Sequence, residues 1–270
     1  MHGTSIFFDA MLYLYALSLL FMFSDFVERN LRAKQLGAGL LAFVWALQTI
    51  YLFYEASQMR METMLQLFGS LFFLSWLVIT LSLALNFIMR IDVLFLVNLA
   101  GFAIASLGFF GNRDISGAVL QWQVRDDLLV VHISLAAASY SLFILSALLS
   151  AMLLFLYGRL KSKRWSAYMS RMPSLEVTHK ITMWLVVAGV PLLIASLVLG
   201  LSWITYGQQW RLLGDWKVIH TVLILLIYGY YIWMRLRGKR SWTQLAVINL
   251  IGLAAVLGNL IWSNTFSEFH

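Results

Sequence analysis

The 270-residue chain contains no cysteine, which excludes disulfides, thiolate metal sites and thiol catalysis and leaves the redox compartment unread. It has only two prolines, Pro173 and Pro191, and charged residues make up 11% of it, against about a quarter in an ordinary soluble domain. A Gly-rich phosphate loop, a paired-histidine zinc helix and a serine nucleophile elbow are all missing. Soluble enzymatic chemistry therefore has no candidate residues, and the chain reads as a non-enzyme. No Lys or Arg precedes Arg29. Without the positive start of a cleavable signal peptide, the first apolar segment is expected to remain as a span.

What the chain does have is apolar surface: 61% of its residues are hydrophobic. A membrane helix needs roughly 20 mostly apolar residues to cross the hydrocarbon core. Eight segments meet that need, at 6–27, 36–57, 67–89, 93–110, 129–157, 181–206, 217–236 and 243–262. The expected fold is an all-α integral membrane protein, a bundle of about eight transmembrane helices, read as a single polytopic domain over 1–270.

The net charge of +7 does not indicate a nucleic-acid partner, because the basic residues sit between apolar segments rather than on one folded surface. Counted over alternate connections, 14 Lys and Arg fall on one side and 5 on the other. The positive-inside rule then places both termini on the extracytoplasmic side. The basic linker 158–180 is cytosolic on this reading, and connections 111–128 and 207–216 face outward with Trp122, Trp210 and Trp216. Ser174, after Pro173, can cap a helix whose first turn holds Glu176. Pro191 removes a donor and crowds the carbonyl of Val187, so a kink is expected there.

Of the five histidines, His2, His179 and His270 read as solvated terminal or interfacial residues. His132 and His220 open the fifth and seventh spans, both just below the outer interface. Two imidazoles at matching depth on separate helices either ligate one iron from opposite sides or each hydrogen-bond a neighbouring helix; position does not decide between them. Asp9, Asp25 and Glu55 lie near span ends, whereas Asn86, Asn98 and Asn249 are central and suited to interhelical hydrogen bonds. Trp122, Trp203, Trp210, Trp216 and Trp262 gather at the outer interface, where they form either an aromatic belt or the walls of a flat apolar slot.

Several stretches resemble one family. Pro173-Ser174-Leu175-Glu176, Gly189-Val190-Pro191-Leu192, Gly200 and Trp203 look like the cytochrome c assembly (CcsA/ResC-type) family of heme-handling membrane proteins. In the same order follow Gly214-Asp215-Trp216-Lys217, similar to the end of the family's tryptophan-rich loop, and then Leu225 to Tyr231. His132, with Ser134, Ser139 and Tyr140, matches the family's external histidine before that loop. The family-like part covers about 67–265. The N-terminal half, with Tyr15-Ala16-Leu17-Ser18, Asp25-Phe26 and Phe43 to Thr49, resembles the HemX-like subgroup associated with heme-biosynthesis genes. There are departures: Gly214 stands where the motif has its last tryptophan, and Trp233 where the family often has a membrane histidine. The second external histidine falls near Phe266, four residues before His270.

The resemblance implies a plasma-membrane protein of a bacterium that handles heme. His132 carries over directly as an axial ligand, with His220 as the replacement partner and His270 as runner-up. Trp203, Trp210, Asp215 and Trp216 would line the cofactor, and Arg211 or Lys217 would either pair with a propionate or anchor the interface. It also implies partners: membrane lipid, a cytochrome c assembly partner, or glutamyl-tRNA reductase, whose amount HemX-like relatives help to limit, with the segment from Arg159 to Lys180 as contact surface. The other reading is a cofactor-free membrane scaffold that recruits a cytosolic partner through the same basic linker. A small-molecule transporter, suggested only by Pro191, is a third.

Overall fold

In lipid, a long apolar segment can satisfy its backbone polar groups only by bonding to itself, so each run is driven to helix. The structure, a computed structural model, describes residues 2–28, 30–57, 67–89, 94–111, 127–163, 172–206, 214–238 and 241–266. These form α1 (His2–Glu28), α2 (Leu31–Ser57), α3 (Leu67–Met89), α4 (Leu94–Gly111), α5 (Asp127–Lys161), α6 (Leu175–Tyr206), α7 (Trp216–Leu236) and α8 (Trp242–Phe266). All eight expected segments are helical over their described residues. Six helices are long and apolar enough over their described residues to cross a membrane, namely α1, α2 and α5–α8; the apolar described stretches of α3 and α4 are shorter, at Leu71–Asn86 and Phe95–Gly108.

Side-chain caps set where four helices begin. The Asn30 carboxamide accepts from the backbone N–H groups of Arg32 and Ala33 at the start of α2. Ser174 Oγ accepts from Val177 N, as its place after Pro173 suggested. Asp215 caps α7 through Lys217 N. Ser241 and Gln244 form a reciprocal capping box at α8. Beyond Leu236, α7 is closed off at Gly238, whose φ of +64° suits a residue without Cβ. Helix α6 runs unbroken across Pro191.

The chain divides into two compact units, Met1–Arg125 and Asp126–His270. In the first, α1 packs on α2 and α3 on α4. Ser18 Oγ donates to Gly37 O at 2.8 Å, and a Cβ at Gly37 would lie 2.9 Å from Met22 Cγ, so the two backbones approach closely there. Tyr15, fully buried, donates to Asn98 O, and the Asn98 amide donates to Ser82. Between α2 and α3 the pairing is reciprocal. Trp45 Nε1 donates to Thr80 Oγ1 and Trp76 Nε1 to Thr49 Oγ1, both at 2.9 Å. Each threonine hydroxyl in turn donates to the carbonyl of the tryptophan one turn before it.

In the second unit α5 is the central helix. Its apolar window is 61% buried, against 17–33% for α6, α7 and α8. It packs most extensively on α6 and also against α8. Its serines fasten it to both: Ser139 Oγ donates to Gly189 O and Ser146 Oγ to Thr182 O on α6. Asn249 of α8 donates to Ser146 and Ser150. Asn98 and Asn249 thus make the interhelical bonds expected of them. Phe143 of α5 stacks on Tyr228 of α7, centroids 3.9 Å apart.

Candidate functional site

One end of the second unit collects the start of α5, the end of α6 and the start of α7, and most of the sequence-derived site residues fall there. His132 lies about a turn and a half into α5, partly buried. Its Nδ1 is 2.6 Å from the carbonyl oxygen of Ser196 and 3.0 Å from Ser196 Oγ, both on α6. Ser196 Oγ also donates to the backbone carbonyl of His132 at 2.9 Å. One turn further along α6, Gly200 meets the imidazole edge, where a Cβ would fall 2.8 Å from Cε1. A carbonyl can only accept a hydrogen bond, so Nδ1 carries the ring proton and the lone pair of the neutral ring sits on Nε2.

Ser196, Gly200 and Trp203 are spaced by four and three residues and so share one face of α6. Trp203 is buried on that face. Asp215 is buried too, with one carboxylate oxygen accepting from Lys217 N as the α7 cap. Trp216 is 55% exposed and packs against the His220 ring at 6.0 Å. His220 Nδ1 is 2.8 Å from Trp216 O, one turn back in its own helix, which fixes the same tautomer.

The relative depth of the two histidines follows from helix register. Asn259 of α8 donates to both Tyr140 of α5 and Thr221 of α7, which brings those two side chains to one level. Together with the Phe143–Tyr228 stack, this shows α5 and α7 running the same way. Stepping back along both helices brings His132 level with the start of α7, near Asp215–Lys217, and leaves His220 about one to two turns further in. Lys217 is near enough for its charge to act on His132.

Trp210, Arg211 and His270 lie outside the described residues, as do residues 164–171 of the basic linker. Among the described residues no group of three or more His, Asp or Glu could hold a metal ion on its own. Were a heme iron held here, His132 would be the residue to offer it a nitrogen. Its Nδ1 is anchored on the Ser196 carbonyl, as metal-ligating histidines typically require, and the missing side chain at Gly200 lets the ring seat closely against α6.

Sequence reasoning missed Ser196, whose hydroxyl in an apolar run looks like any other intramembrane serine, and the junction of Tyr140, Asn259 and Thr221. It also misread His179. Expected at the solvated interface beside Lys180, this residue is only 4% exposed and stacks on Trp242 of α8, with Nε2 buried and without a hydrogen bond among the described residues.

The profile of the Cytochrome C assembly protein family matches residues 64–267. Protein HemX of Bacillus subtilis (strain 168) is 33% identical over 258 residues, covering 95% of this chain and 94% of that protein. Protein HemX of Brevibacillus brevis is 36% identical over 266 residues, covering 97% of this chain and 96% of that protein. No solved structure matches.

Proposed function

Because this chain belongs to the cytochrome c assembly protein family, we propose that it is a heme-binding membrane protein, a binder rather than an enzyme, holding heme at the His132 end of its second unit. The observation that carries this reading is the state of His132. With Nδ1 donating to the Ser196 carbonyl, the ring keeps its Nε2 lone pair for a metal at any pH where the imidazole is neutral. A bound heme would supply an iron with axial positions for nitrogen ligands.

His132 is the first ligand on this reading. The second comes from His220, whose Nδ1 is likewise held on a backbone carbonyl, or from His270. Trp203, Trp210 and Trp216 supply apolar and aromatic surface, Asp215 keeps the start of α7 in place, and Arg211 or Lys217 offers a cation to a propionate. The positive-inside count puts this end outside the cytosol. The linker 158–180 then faces the cytosol, where its charge suits recruitment of glutamyl-tRNA reductase or an assembly partner, or adhesion to anionic lipid.

The test is an absorption spectrum of the detergent-purified protein with and without added hemin. A sharp Soret band that is lost in His132→Ala supports the reading. An unchanged spectrum in that variant, together with loss of function on charge reversal at Lys161 and Lys163, favours the cofactor-free scaffold instead.

A further inference from the structure

Resting on the reading that His132 ligates heme, we propose that Ser196 is the positioning residue of that ligand: its hydroxyl and carbonyl clamp the imidazole so that Nε2, and only Nε2, is presented as the donor atom. The inference comes from the direction of three hydrogen bonds. Ser196 Oγ has one proton, and it goes to the His132 backbone carbonyl at 2.9 Å, an atom that can only accept. Toward Nδ1, 3.0 Å away, the same oxygen therefore offers a lone pair. The Ser196 carbonyl, 2.6 Å from Nδ1, offers another. Nδ1 faces two acceptors and no donor, so the alternative tautomer, with the proton on Nε2, would put lone pairs against lone pairs.

Rotation of the ring is restricted as well. The edge from Nδ1 through Cε1 to Nε2 lies against Gly200, so a Cβ there would be 3.0, 2.8 and 3.4 Å from those three atoms in turn. Ser196 and Gly200 are one turn apart on α6 and form a single seat for the ring. Donation from Nδ1–H to an acceptor also pushes electron density toward Nε2, which strengthens it as a ligand. Ser196 thus acts through His132 and on the iron's preference between oxidation states, without touching the heme.

The experiment titrates purified full-length protein with hemin and measures the midpoint potential of the loaded form. Four proteins are compared: wild type, Ser196→Ala, Ser196→Thr and His132→Ala. Ser196→Ala removes the hydroxyl and keeps the carbonyl, so the tautomer is held while the ring loses one of its two acceptors and its tie to the His132 carbonyl; hemin binding is expected to weaken by up to about 10-fold and the midpoint potential to rise. Ser196→Thr, which keeps the hydroxyl, restores both. Wild-type affinity and potential in Ser196→Ala, with the Soret band lost in His132→Ala, overturn this inference and leave the heme reading standing. Retention of the band in His132→Ala overturns both. Should Ser196→Ala lose helix content, Gly200→Ala takes its place: it spares the hydroxyl but displaces the ring, and unchanged affinity in that variant overturns the proposal.

Discussion

The imidazole of His132 rests on Gly200, so close that a methyl group at that position would come within 2.8 Å of Cε1. Real Cβ atoms do not sit that near a neighbour, and Cε1 belongs to a ring already fixed at Nδ1. A larger side chain must therefore expel the ring from its seat. Gly200→Leu is expected to abolish the hemin Soret band while circular dichroism still reports a fully helical protein. A variant with a normal band would show that the imidazole needs no seat on α6.

Gly252 makes a second close approach, deeper in the same unit. A Cβ there would fall 2.6 Å from Tyr228 Cζ, and that ring is stacked on Phe143. Already stacked on Phe143, the tyrosine has little freedom to yield. Gly252→Ala should cost about 1–3 kcal/mol, as overpacking usually does, read as an earlier transition in SDS-induced unfolding. Gly229, next to Tyr228, has nothing within 4 Å of its would-be Cβ, and Gly229→Ala should show no loss in the same assay.

His179 offers a prediction of opposite sign. Its ring stacks on Trp242, while its Nε2 is buried without a hydrogen bond among the described residues. A buried polar atom left unpaired costs about 1–3 kcal/mol. His179→Phe keeps the flat ring and removes the nitrogen, so the thermal unfolding midpoint in detergent should rise. A marked fall would mean that this nitrogen is used after all.

Orientation is checked with reporters. The uneven distribution of 14 and 5 basic residues predicts that alkaline phosphatase fused after His270 is active and that a fusion in the 158–180 linker is not. The reverse pattern would place the His132 end toward the cytosol and remove it from the face where heme is proposed to sit.

The helices were legible because their signal is additive: twenty apolar residues in a row exclude most alternatives, and the cap at Ser174 follows a local rule, whereas the cap at Asp215 was not anticipated. Their ends were less so. Helix α5 begins at Asp127 and reaches Lys161, beyond the apolar run, because a helix can continue into polar sequence at no backbone cost. The site was half legible. His132 stood out as an ionisable group near a span end, and the family resemblance singled it out further. Ser196 did not, because its role depends on a residue 64 positions away. His179 failed for the same reason, since the ring that covers it belongs to α8. Depth was a matter of register: counted from span starts, His132 and His220 look level, but the contacts of Tyr140 and Phe143 with α7 shift one against the other.

The crossed tryptophan–threonine pairs of α2 and α3 have a mechanical consequence. Greasy helices side by side in lipid can slide, since oil against oil is nearly the same at every offset. Here a shift of one residue, about 1.5 Å, pulls both indoles off their hydroxyls together, and turning either rod does the same. Two bonds placed at opposite corners act as a pair of dowels, leaving this helix pair a single admissible alignment where greasiness alone would permit several.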